Sequence, residues 1–100
     1  MAGSSPGEPP WTVILSPGAE KDLGELEGEL RREAVELLES LQDDPLPADA
    51  RALRSMRSGY RISFYRGAYR MVYEISDQRR IVFVSRIKPR GDVYRGLNRW

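Results

Sequence analysis

The 100-residue chain contains no cysteine and no histidine, and only two of its residues are phenylalanine. Without cysteine there is no disulfide, no thiolate nucleophile and no sulfur ligand. Without histidine the ordinary zinc ligands and the usual acid–base group of neutral pH are missing as well. A carboxylate-held Mg²⁺ is the one metal chemistry left open, and the Asp43-Asp44 pair reads as a helix-ending loop instead, so no metal and no cofactor is expected. No stretch approaches the roughly 18 apolar residues of a membrane span, and the opening MAGSSPGEPP lacks the apolar centre of a signal peptide. The expectation is a cytoplasmic protein with no membrane partner.

What the chain does have is charge, sorted by half. Residues 1–50 carry 12 Asp or Glu against 3 Lys or Arg, and residues 51–100 carry 13 Lys or Arg against 3 Asp or Glu. A total of +1 therefore conceals −9 on one half and +10 on the other. Clustered positive charge concentrates phosphate and raises its on-rate even when net charge is near zero. The cations are arginines apart from Lys21 and Lys88. Arginine stays charged at any working pH and offers phosphate a planar fork, although base composition of the gene produces the same bias.

Residues 1–10, rich in Gly, Ser and Pro, read as a disordered leader, and 11–100 as a single domain. Trp11 to Leu15 is a short β-branched run, hence a strand. Ser16-Pro17 starts a helix, with a hydroxyl to cap free amides and a proline where no amide hydrogen is needed. Ala19, Leu23, Leu26, Leu30, Ala34, Leu37, Leu38 and Leu41 follow helical spacing, and Gly24 and Gly28 predict a helical hairpin broken near Gly28. Pro45 and Pro47 stop the second helix, and a loop is expected across Asp44 to Ser58.

The period then changes to two. Tyr60, Ile62 and Phe64 alternate with Arg61, Ser63 and Tyr65, Arg66-Gly67 turns the chain, and Tyr69, Met71, Tyr73 and Ile75 alternate with Arg70, Val72 and Glu74. Ile81 to Ile87 is nearly continuous in apolar character, which predicts a central strand covered on both faces. Pro89 ends it, and Val93 to Arg95 offers a short final segment. The fold class is α+β: an N-terminal strand and a two-helix hairpin packed on one face of a mostly antiparallel sheet of four to five strands.

If Tyr60, Ile62 and Phe64 face the helices, Arg61, Ser63 and Arg70 share the opposite face. Lys88 and Arg90 close the last long strand, and Tyr94 lies just beyond. Such a set suits RNA cleavage by a 2′-hydroxyl on its neighbouring phosphate. That reaction needs a proton removed, charge on the phosphorane stabilised and the leaving oxygen protonated. A phenol among cations can handle protons or stack on a base, and a half-buried core tyrosine is the plain alternative for Tyr94. The glutamates from Glu25 to Glu39 form the wet side of amphipathic helices.

The segments Leu53-Arg54-Ser55-Met56, GYRISF from Gly59, GAYRMVYEI from Gly67 and RGDVYR from Arg90 resemble the RelE/ParE toxins of bacterial type II toxin–antitoxin systems, nearer to RelE, over about residues 11–97. The resemblance implies a metal-independent mRNA interferase that enters the ribosomal A site and cuts the codon there. It implies catalytic roles for Arg61, Arg70, Lys88, Arg90 and Tyr94, with Arg54, Arg57, Ser63, Arg86 and Arg95 as RNA-binding neighbours. Ser63 stands where RelE has a second basic residue on that strand, and Lys88 where it has an arginine. The implied partners are the ribosome with its mRNA and a cognate antitoxin, with operator DNA reached only through the antitoxin complex. Two other readings stay open: a ParE-like DNA gyrase inhibitor, and an inactive member that binds RNA or antitoxin without cutting.

Overall fold

In the computed structural model, which describes residues 10–54 and 56–91, the elements run β1 (Thr12–Leu15), α1 (Pro17–Gly24), α2 (Gly28–Asp43), β2 (Arg51–Ala52), β3 (Gly59–Phe64), β4 (Tyr69–Ser76) and β5 (Ile81–Pro89). The five strands form one sheet in the order β1-β5-β4-β3-β2. Only the β1–β5 pair is parallel; the other three pairings are antiparallel. The α+β architecture expected from the sequence is the one observed.

Ser16 joins the first strand to the first helix. Its backbone is extended, its Oγ accepts a hydrogen bond from the Ala19 N–H at 3.0 Å, and Pro17 occupies the first helical position. The same hydroxyl donates to the Ser85 carbonyl at 2.9 Å, so the cap also stitches α1 to β5. The chain breaks between helices where the glycines predict. Gly28 sits at φ +60°, a left-handed conformation that costs a side-chain-bearing residue about 1–2 kcal/mol. Ala19, Leu26, Ala34 and Leu41 then pack on Ile62, Phe64, Met71, Tyr73, Val82, Val84 and Ile87 to form the core between helices and sheet.

The structure corrects two expectations. The connection from Asp44 to Ser58 contains β2, whose two residues pair with Arg61 and Tyr60 and are too short to show a period. The strand β5 is central, but it is not covered on both faces. Its register with β4 slips between Val72 and Tyr73, so that Val72 faces Arg86 and Tyr73 faces Val84, with Ser85 as the bulged residue. The slip resets the alternation. Val82, Val84 and Ile87 all reach the core, while Phe83 is left 38% exposed beside Ile14 of β1, its register partner.

The face away from the helices is covered only in part. Leu53 and Met56, from the loop before β3, pack on the fully buried Val72. The close approach demands a glycine at position 59, where a Cβ would lie 2.6 Å from Met56 Cβ. The four residues Tyr65 to Ala68 make the β3–β4 turn, tethered by the Tyr65 N–H, which donates to Glu33 Oε1 of α2 at 3.1 Å.

Tyr73 is the largest fully buried side chain, and its hydroxyl donates to the Pro45 carbonyl at 2.8 Å, tying the loop after α2 to the sheet. Burial, helped by Asp44 and Tyr60, pushes its phenol well above the ordinary tyrosine range. A pKa raised on folding stabilises the native state below the unfolded value near 10, and that stabilisation is lost as pH climbs from there toward the folded value. Urea unfolding from pH 8 to 12 is expected to show a fall in stability beginning near pH 10 that is smaller in Tyr73→Phe. At neutral pH that variant is expected to lose about 1 kcal/mol with the hydrogen bond.

Candidate functional site

Two rows of side chains cross the sheet on the face opposite the helices. Ser63, Arg70 and Lys88 are successive register partners on β3, β4 and β5. Strand spacing puts the ends of that row about 10 Å apart. One step along the strands, Arg51, Arg61, Val72 and Arg86 form a second row across β2 to β5. Register partners share a face, so these rows bring Arg61, Arg70, Arg86 and Lys88 together around the covered Val72. Arg61 and Arg70 are half-buried and Ser63 is exposed.

The remaining sites named from the sequence fall around these rows. Arg54 and Arg57 are exposed on the same loop whose Leu53 and Met56 pack on Val72, which carries them to this side of the sheet. Arg90 is exposed just past β5, and its N–H donates to the Ala68 carbonyl at 2.8 Å, fixing the strand end against the β3–β4 turn. Tyr94 and Arg95, with the Val93 to Arg95 segment, lie outside the described residues. Arg51 shares the second row but turns away, donating to the Ala48 and Ala50 carbonyls. Arg80, at the far end of the sheet, lies over the Trp11 ring at 4.7 Å.

Lys88 and Arg86 are not simply splayed on the open face. β1 pairs with β5 only as far as Val84, and beyond it α1 lies along the edge of β5. From α1, Asp22 points into that edge and is 3% exposed. One of its oxygens, Oδ2, accepts from the Ile87 N–H at 3.0 Å and lies 3.2 Å from Arg86 Nε, while Oδ1 is 3.1 Å from Lys88 Nζ. A helix carboxylate thus does for one strand amide what a neighbouring strand would do, and it gathers two cations at the same point. Asp22, Leu26, Tyr69, Ile87 and Lys88 help line an adjoining cleft of about 300 Å³.

Asp22 is the residue that sequence reading missed. The signal was there: position 22 lies three residues after Ala19 and four before Leu26, on the buried stripe of the helix, where an unpaired carboxylate is not tolerated. The outer side of the helices has the opposite character. Glu25, Glu27, Glu29, Glu36 and Glu39 are exposed, and Arg32 is tied to Glu29, which raises the pKa of its guanidinium. Among the described residues, no group of three or more acidic residues stands where it would hold a metal ion. No described helix is long and apolar enough to cross a membrane.

The family model described as "ParE toxin of type II toxin-antitoxin system, parDE" matches residues 13–94. Toxin RelG of Mycobacterium tuberculosis is 31% identical over 87 residues, which is 86% of this chain and 98% of RelG. The chain belongs to the RelE/ParE superfamily of type II toxins. Solved structures agree with that assignment. The RelBE2 toxin–antitoxin complex of M. tuberculosis superposes with a TM-score of 0.69 at 28% identity, covering 81% of this chain and 99% of that one. The intact E. coli RelBE complex gives 0.68 at 25% identity, covering 78% and 94%. The matching family model carries the ParE name and the relatives carry RelE names, so membership fixes the fold and the toxin class without choosing between the two activities.

In this RelE/ParE toxin the Asp22 cluster also bears on stability. Removing one partner of a fully buried ion pair costs about 3–5 kcal/mol, and the side chains of Arg86 and Lys88 are 33% and 29% exposed, which screens part of that. Asp22→Ala is expected to lower the unfolding free energy by about 2–3 kcal/mol in urea titrations, and Asp22→Asn by less, because the amide oxygen still accepts from the Ile87 N–H.

Proposed function

We propose that this toxin is a ribosome-dependent mRNA endonuclease that cuts the A-site codon and so inhibits translation. The observation that carries the reading is the pair of register rows, which assemble Arg61, Arg70, Arg86 and Lys88 on one sheet face while the acidic helices occupy the other. Such a face draws the RNA backbone onto one side of the molecule and repels it from the other.

The reaction is an internal displacement. The 2′-oxygen bonds to phosphorus, the P–O5′ bond breaks, and the products are a 2′,3′-cyclic phosphate and a 5′-hydroxyl. As the phosphorane forms, negative charge grows on its non-bridging oxygens, and fixed guanidinium and ammonium donors stabilise that charge more than the ground state. Arg70 lies at the middle of the first row and Arg61 beside it, the positions assigned to holding the phosphate. Lys88 supplies a compact positive charge at the row's end, and Arg90 a further cation beyond it. Tyr94 is assigned to base stacking or proton handling. The chain has no histidine, so proton transfer does not run through imidazole here.

A cognate antitoxin is the proposed regulatory partner, as RelE is found with RelB in the E. coli and M. tuberculosis complexes. The second reading, a gyrase inhibitor, is favoured by the ParE name of the matching family model.

Primer extension on mRNA from programmed ribosomes tests the choice. Wild-type protein is expected to give sharp 5′ ends at the A-site codon, and Arg70→Ala to reduce them at least a hundredfold at a temperature where the variant is fully folded. Intact mRNA beside blocked supercoiling by gyrase would give the case to the second reading. If Arg70 touches one phosphate, the slope of log K against log salt for single-stranded RNA is expected to be shallower by about 0.7 in the same variant.

A further inference from the structure

We infer that α1 is part of the cleavage machinery, with Asp22 and Gly18 as positioning residues that hold Arg86 and Lys88 in the geometry the scissile phosphate requires. This rests on the nuclease reading of the basic face. Asp22 is deeply buried, and its oxygens are occupied by the Ile87 N–H, Arg86 and Lys88. It does not reach substrate, and whatever it contributes passes through those cations.

The contacts leave the cations able to work. Arg86 presents the edge made by Nε and Nη2 to the carboxylate, at 3.2 Å to Oδ2 and 3.5 Å to Oδ1, so the N–H groups of Nη1 are not spent on it. Lys88 commits one ammonium contact to Oδ1, and its side chain stays partly exposed. The charges sum to +1: two cations and one carboxylate.

Gly18 is an independent second observation. It lies in the first turn of α1, where glycine is a poor helix former, yet a Cβ there would come within 3.2 Å of Arg86 Nη1. Helix propensity gives no reason for that glycine, whereas a Cβ there would press on the guanidinium and shift it by a few tenths of an ångström. The carboxylate pulls one edge of Arg86 into place and the bare glycine leaves space for the rest. Rotamer freedom of both cations is thereby given up during folding instead of at the transition state, which is how a fixed donor favours the phosphorane over the bound substrate.

Positioning and plain structural support predict different kinetics. Asp22→Asn keeps the acceptor for Ile87 and removes the charge that fixes the cations. It also leaves them one unit more positive toward RNA. We expect single-stranded RNA to bind as tightly or more tightly, with a steeper salt dependence, while the single-turnover cleavage rate on programmed ribosomes falls at least tenfold. Gly18→Ala is expected to slow cleavage several-fold at an unchanged or higher melting temperature. If rate and affinity instead fall together with the folded fraction and both recover on cooling, Asp22 is structural only and the inference is wrong.

Should wild-type protein leave mRNA intact, the nuclease reading fails and the positioning claim is decided separately. Inorganic phosphate is titrated into ¹⁵N-labelled protein while the side-chain nitrogens of Arg86 and Lys88 are followed by NMR. Saturable shifts in the wild type that keep their affinity in Asp22→Asn but shrink at least threefold in amplitude, as the two side chains lose their fixed orientation, uphold the positioning of the cations by Asp22. Equal responses in the two proteins, or none in either, overturn it.

Discussion

Past Val84, the edge of β5 is closed by a helix, and the layout of the basic face depends on that substitution. A strand would have offered a ladder of backbone groups. α1 offers a capping serine and a carboxylate, which satisfy the β5 edge at the Val84 and Ser85 carbonyls and the Ile87 amide. A buried carboxylate needs countercharge, and the nearest residues able to give it are Arg86 and Lys88, one on each side of Ile87. The need to satisfy an open sheet edge therefore also determines where two cations of the basic face point. The bulge at Ser85 is the other half of the arrangement. Without the extra residue the alternation set by Val82 and Val84 would send Arg86 and Lys88 toward the helices and Ile87 toward solvent.

The two signs of charge are kept apart by the layering. Acidic residues are spent on the solvent side of the helices, where they make α2 amphipathic, and basic residues on the sheet face the helices leave uncovered. Two acidic residues depart from this sorting: Glu74 lies on the open face of β4, and Asp22 is buried where α1 meets the edge of β5. The loop from Leu53 to Met56 supplies the open face with just enough apolar cover to bury Val72 in the middle of the cations. A dry centre under a ring of charge strengthens each interaction made there, since less water screens it.

Much of this was legible in the chain. The change from helical spacing through Leu41 to strict alternation from Tyr60 marks the α-to-β transition, and Gly28 marks the break between helices. Alternation alone places Arg61, Ser63 and Arg70 on one side. What could not be read has a common cause, because each missed feature is defined by a partner distant in sequence. Ser85 looks like any polar residue until its register with Val72 is known. Arg51 and Ala52 are a strand only because β3 lies beside them. Leu53 and Met56 look like loop residues until Val72 is found beneath them. Asp22 was readable in part, since its place on the buried stripe announces a paired carboxylate, but the identity of its partners 64 and 66 residues away does not follow from spacing.

The serine at position 63 shifts the balance of the first row. With Ser63 on β3, Arg70 on β4 and Lys88 on β5, positive charge in that row is displaced toward β5, while the second row keeps Arg61 on β3 across from Arg86 on β5. Under the proposed nuclease function, a first row with no cation on β3 has more to gain from holding the β5 cations still, because each donor carries a larger share of the phosphate's charge and its misplacement costs more. Ser63 on one strand and the buried carboxylate beside another are in this sense one feature: with no cation at position 63, the contacts that fix Arg86 and Lys88 count for more.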